Sequence, residues 1–245
     1  MNLRKGENMA KFCEKCGKPL VDGKCENCKV EEVTTTNNGG FDFNKLISML
    51  KDTFTKPIDL IKEEVSESNF GLAWVLLGIM AVSMGLFSMA LCKTLYSSIM
   101  SMMGLGSIYG SLSSLTGYNV EIPYLKIFFV VIIAYVIMAL LISGLITLFF
   151  GKVFKGNITF KKAFVLYQVS SIIMIVGLLA AAILSLVSLP IGLMVWCIAS
   201  ILNLVYLLGG LSQVSGVNKN LIGYAYVSVM ASFYLILFIV SKIFS

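Results

Sequence analysis

From residue 70 onward the chain alternates long apolar runs with short polar breaks, and no comparable run occurs before it. A helix needs about 20 apolar residues to cross roughly 30 Å of hydrocarbon. Residues 70–92, 124–150, 163–189, 191–213 and 221–243 each meet that requirement. The pattern predicts five membrane spans. The third and fourth meet at Leu189-Pro190-Ile191-Gly192, which predicts a tight uncharged turn. Pro190 would break a single overlong helix there.

Ahead of the spans the periodicity changes. In residues 41–69, Phe43, Leu46, Ile47, Leu50 and Phe54 recur at helical spacing, with Asp42, Lys45, Lys51 and Asp52 elsewhere on the wheel. Pro57 interrupts this stripe at a place suited to a new helix start, and Ile58, Ile61 and Val65 resume it. Two short amphipathic juxtamembrane helices follow, lying on the membrane surface or packed on the ends of the spans. Residues 30–40 (VEEVTTTNNGG) are polar and aperiodic, as a flexible linker is.

Composition agrees with a membrane protein. Hydrophobic residues make up 58% of the 245 and charged residues 13%, against about a quarter charged in soluble domains. Mean hydropathy is +0.89. Residues 1–67 hold 11 basic and 12 acidic side chains, whereas residues 68–245 hold eight lysines and one acid, Glu121. The formal charge of +6 therefore comes from lysines beside the spans rather than from a nucleic-acid-binding face. Half of those eight, Lys152, Lys155, Lys161 and Lys162, lie in one break, GKVFKGNITFKK at residues 151–162. Short loops rich in lysine stay on the cytoplasmic side. Lys51, Lys56, Lys62 and Lys219 fall on that side too, and only Lys93, Lys126 and Lys242 on the other. The expected topology in the cell membrane is N-terminus cytoplasmic and C-terminus outside. The first 40 residues contain no apolar core of signal-peptide length, and Met9 opens a second plausible start.

Residues 9–29 carry the clearest chemical signal. Cys13-x2-Cys16 and Cys25-x2-Cys28 are knuckle-type pairs separated by eight residues. Four thiolates close a tetrahedral structural zinc site with no open position. Gly17 follows the first pair, and Asp22-Gly23 is a hairpin signal that returns the chain toward it. The expectation is a minimal zinc ribbon whose metal supplies most of its folding energy. Paired disulfides would need an oxidising compartment, and a redox CxxC would need a βαβ setting; the topology opposes the first and length the second. Residues 11–29 hold five lysines and three acids. With four thiolates and one zinc the head is near neutral, so phosphate-driven nucleic-acid binding is not expected.

The spans offer little chemistry. They contain no Asp, Glu, Arg or His, and Lys126 and Lys242 stand at span ends. Intramembrane ionisable groups mark ion and proton pathways, so a coupled transporter is disfavoured. Asn203, in mid-span, is expected to seek an interhelical partner, with Gln168, Ser170, Ser171 and Ser228 as further polar positions. The pairs Ala81 and Gly85, Ala139 and Ser143, and Gly177 and Ala181 suit close helix packing. Met100, Met102 and Met103 read as interfacial residues rather than copper ligands, since no His or Cys joins them. Cys92 and Cys197 read as apolar packers. With no His and no phosphate loop, an enzyme is not expected.

The five-span body resembles the Yip family, Rab-GTPase-interacting membrane proteins with prokaryotic relatives. The proline in Phe54-Thr55-Lys56-Pro57 carries the resemblance, as do Phe150 through Phe164 with their glycine pair and Thr-Phe, and the close spacing of spans three and four. No proline stands early in the third span, where this chain has Tyr167-Gln168-Val169-Ser170. A zinc ribbon joined to such a body looks like the bacterial members. For eukaryotic members the resemblance implies binding of small GTPases in vesicle traffic, a role not carried over here. The expected function is a non-enzymatic membrane scaffold or sensor whose cytosolic zinc-ribbon head docks a partner protein, with self-association open. The alternatives are a transport or permeability component and a membrane-organising protein.

Overall fold

A computed structural model describes residues 43–102 and 123–243. These residues belong to the unit Asp42–Ser245; the other unit, Met1–Phe41, lies outside the described residues. Cys13, Cys16, Cys25, Cys28, the linker and Met103 therefore fall outside them too.

Among the described residues the regular structure is all helical, without a strand. Helices α1 (Phe43–Thr55) and α2 (Pro57–Glu64) come first, and a 3₁₀ turn at Glu67–Asn69 leads into α3 (Phe70–Met102). Helix α4 (Tyr124–Ile146) runs into a π-helical turn, Thr147–Val153. Helices α5 (Phe160–Ser170) and α6 (Ile172–Val187) form one broken span, followed by α7 (Leu189–Val214). A 3₁₀ turn at Lys219–Leu221 leads into α8 (Ile222–Ile243). Five of these stretches are long and apolar enough to cross a membrane: Glu67–Met102, Tyr124–Val153, Phe160–Val187, Leu189–Val214 and Lys219–Ile243.

The third span is the hub. Ala163, Phe164, Val165 and Leu166 are consecutive and all fully buried, so α5 is enclosed on every side. Around it, large apolar side chains face outward on every other span: Val82, Ile133, Ile137, Ile198, Val227 and Phe238 are all exposed. Water would not tolerate so much contiguous apolar surface on a monomer, and lipid does. The small residues do pack closely. A Cβ on Gly85 would lie 2.6 Å from the Phe128 ring, and one on Gly177 would collide with Ala199. Ala139, Ser143 and Ala181 are completely buried.

Four details depart from the sequence expectation. First, α3 continues ten residues past Cys92, because no glycine or proline stops it before Gly104 and Thr94 anchors it. The Thr94 hydroxyl donates to the Ser185 carbonyl across to α6 at 3.1 Å. Second, the third span is not continuous. The Ser171 amide splits between the Tyr167 and Gln168 carbonyls, and the Ser170 and Ser171 hydroxyls both donate to Tyr167 O. Serine back-bonding of this kind bends helices.

Third, the turn between spans three and four is a single extended residue, Ser188, and not the Leu189–Gly192 tetrapeptide. Pro190 sits inside the first turn of α7, where its missing N–H has no helical partner to lose. Fourth, α1 buries a different face from the predicted stripe. Met49 and Thr53 are buried with Leu46 packed beside them, whereas Ile47, Leu50 and Phe54 are 51%, 38% and 58% exposed.

The pair α1–α2 is fastened to the bundle at named points. Ile61 is buried and meets Gly210 of α7, and Ile58 meets Gly209; neither glycine leaves room for a side chain beneath α2. The Tyr206 hydroxyl of α7 donates to the Thr53 carbonyl at 3.1 Å. The Lys45 ammonium lies 2.8 Å from the Glu64 carboxylate, and the Asn69 amide donates to the same carboxylate and to the Glu64 carbonyl.

Candidate docking face at the lysine-rich end of the bundle

The lysine-rich break is a built structure rather than a slack turn. The π-helical turn ends with the Phe154 amide donating back five residues to Phe149 O at 2.8 Å. Such widened turns concentrate at functional sites. Lys155 then takes a left-handed backbone with φ 55, which reverses the chain. This lets the Gly156 amide reach Phe150 O at 2.9 Å and the Asn157 amide reach Ser215 O at 2.9 Å. The second bond joins this loop to the one between α7 and α8. On the facing strand of chain Gly216 has φ 70 beside Asn157, a conformation that glycine adopts without steric cost.

Apolar anchors close the joint from below. Ile158 and Val217 are buried on either side of the Asn157–Ser215 contact. A Cβ on Gly156 would run into the carbonyl oxygens of Phe150 and Ser215 and into Val217, so backbone fills the space a side chain would need. Thr159 next caps α5, accepting from the Lys162 amide at 3.3 Å, and its hydroxyl donates to the Glu67 carboxylate at 2.7 Å. Glu67, 92 positions away in sequence, thereby ties the entry of the first span to the loop. The Lys161 ammonium stands 6.0 Å above the Phe70 ring, and Phe70 packs on Phe164.

The lysines themselves point outward. Lys152, Lys155, Lys161 and Lys219 are exposed and Lys162 is half-buried. Fixed backbone beneath exposed cations makes a positively charged face whose backbone does not have to be ordered on binding. Acidic surfaces are its electrostatic complement.

The structure locates the remaining candidate residues individually. Among the described residues no group of three or more His, Cys, Asp or Glu is placed to hold a metal. Cys92 is half-buried and Cys197 exposed, both as free thiols. Gln168 is fully buried, yet neither amide atom has a hydrogen-bond partner. Asn203 Oδ1 is buried without a partner as well, contrary to the expected interhelical bond. The serines instead satisfy themselves on their own helices: Ser143 on Ala139 O, Ser200 on Trp196 O and Ser228 on Tyr224 O. Sequence reasoning singled out the lysines and the segment that holds Asn157, but not its partners Ser215, Gly216 and Glu67. Gly-Asn at 156–157 and Ser-Gly at 215–216 were local hints of turns.

A bundle of five apolar helices, belted by exposed aliphatic side chains and closed at one end by interlocked polar loops, defines a multi-pass integral membrane protein in contact with the lipid bilayer. Residues 51–240 match the Yip1 domain, and the chain belongs to that family. The match takes in the last five residues of α1, the first four spans and the fifth as far as Val240. No curated protein and no solved structure matches the chain.

Proposed function

We propose that this protein is a non-enzymatic scaffold or sensor of the cell membrane, in which a cytosolic zinc-ribbon head and the lysine-rich loop recruit one protein partner. The head would use Cys13, Cys16, Cys25 and Cys28 as thiolate ligands to a structural zinc. The observation that supports the reading is the interlock at Gly156, Asn157 and Ser215, which holds exposed lysines on a fixed backbone. A loop that served only to set topology would need the charges and not the joint. The positive-inside rule puts this face and the head together in the cytoplasm, with the C-terminus outside.

Capture experiments with the full chain, a variant lacking residues 9–29 and the triple variant Lys152→Glu, Lys155→Glu, Lys161→Glu test the role. A partner retained by the full chain and lost from both variants is expected. Identical partner sets for all three would sink it. Metal analysis tests the head separately: one zinc per chain is expected, lost when Cys13 and Cys16 become Ser, and a zinc-free protein would remove the ribbon from the account.

A second reading, membrane organisation, is favoured by Ile47, Leu50 and Phe54, which stay exposed on α1 beside the inner ends of the spans. It predicts that deleting residues 41–66 alters membrane shape. Unchanged membranes would reject it.

A further inference from the structure

At the opposite end of the bundle from the lysine-rich loop, α3, α4 and α6 leave an open cavity of about 360 Å³. Met89, Ala90 and Lys93 of α3, Tyr124 at the start of α4 and Leu186 near the end of α6 line it. Among the described lining residues, Lys93 and Tyr124 carry the polar side chains and Met89, Ala90 and Leu186 are apolar. Lys93 is exposed, and among the described residues that line the cavity none is acidic.

Its depth follows from helix geometry. At 1.5 Å per residue Lys93 lies about 35 Å along α3 from Phe70, close to the thickness of a hydrocarbon core. Phe70 packs against Phe164 at the lysine-rich end. The cavity mouth is therefore at headgroup level in the other leaflet, with its apolar floor reaching into the acyl region. Tyrosine at such a level is the usual interfacial anchor. Beside the floor, the Thr94 hydroxyl shares its one proton between Ala90 O at 2.9 Å and Ser185 O at 3.1 Å, so α3 and α6 are already pinned beside the cavity.

We infer that this cavity binds one phospholipid with a net negative headgroup. Charge complementarity selects the occupant: the phosphate and any further negative charge meet Lys93, the Tyr124 hydroxyl donates to a phosphate or ester oxygen, and an acyl chain lies along Met89, Ala90 and Leu186. Lys126, in the first turn of α4 and exposed, is not part of the lining and serves as the internal control.

Native mass spectrometry of the full-length protein in non-ionic detergent, titrated with phosphatidylglycerol, tests the inference. A saturable first lipid is expected. Lys93→Gln should weaken it about fivefold, the change expected for one lysine near a membrane surface. Ala90→Trp, which fills the floor and keeps the charge, should abolish it, and Lys126→Gln should leave it unchanged. Phosphatidylcholine should bind at least several-fold more weakly, and millimolar inorganic phosphate should not displace the lipid. Lys93→Gln binding as the parent does, equal binding of phosphatidylcholine, or displacement by inorganic phosphate would each overturn it. So would a disulfide between cysteines placed at Ala90 and Glu121 in protein that takes up no lipid, since residues 103–122 would then fill the cavity. Because Lys93 is exposed, Lys93→Gln is not expected to disturb folding, and its thermal unfolding in the same detergent verifies that.

Discussion

Gly156 is a position with no room for a single methyl group. Its Cβ would meet two backbone carbonyl oxygens, and backbone cannot step aside as a flexible side chain can. Gly156→Ala should destabilise the protein by about 2 kcal/mol or more in thermal unfolding in detergent, within the range for strained backbone positions. Gly78 is the comparison. It faces open space on α3, so Gly78→Ala should be neutral or stabilise by up to about 1 kcal/mol. Equal effects of the two substitutions would contradict the interlock. Gln168 makes a prediction of opposite sign. A buried amide with no partner loses nothing when removed, so Gln168→Leu should be neutral or stabilising by about 1–3 kcal/mol. Clear destabilisation in the same melt would mean that the amide has a partner, such as a bound water.

Among the elements, α1 shows how far periodicity carries. The apolar spacing of Leu46, Ile47, Leu50 and Phe54 announced an amphipathic helix, and the helix forms. It did not announce which face packs, because Met49 and Thr53 are selected by the surface they meet. Thr53 turns its hydroxyl onto Met49 O and takes the Tyr206 hydroxyl on its carbonyl. Met49→Ala should therefore cost about 2–5 kcal/mol, as truncation of a buried methionine does. Phe54→Ser should leave stability unchanged within about 0.5 kcal/mol in detergent. Reversed magnitudes in unfolding melts would return the predicted stripe to the core. The bend at Ser171 was hidden for a related reason. Serine is tolerated in a straight membrane helix, and only its bond back to Tyr167 O reveals the break. Pro190 was visible as a breaker, but whether it ends one helix or begins the next depends on Ser188 becoming extended.

For the whole molecule, the number and approximate limits of the spans were legible because the bilayer imposes a length of apolar sequence that few other constraints mimic. The candidate docking face was legible only as charge. Its shape comes from residues far apart in the chain, Asn157 with Ser215 and Thr159 with Glu67, and pairings at that separation leave no periodic trace. Five spans place the two ends of the bundle on opposite sides, so the lysines divide into two sets. Lys152, Lys155 and Lys219 share one end, and Lys93, Lys126 and Lys242 the other. The recruiting role requires the first set to face the cytoplasm with the head.

Acylation of native lysines by a membrane-impermeant amine reagent, read residue by residue by mass spectrometry in sealed inside-out and right-side-out vesicles, addresses that requirement directly. The account predicts that Lys152, Lys155 and Lys219, together with Lys18 and Lys24 of the head, are modified in inside-out vesicles only. Lys126 and Lys242 should be modified in right-side-out vesicles only. Modification of Lys155 from the outer face, or of the head and Lys155 from opposite faces, would contradict it.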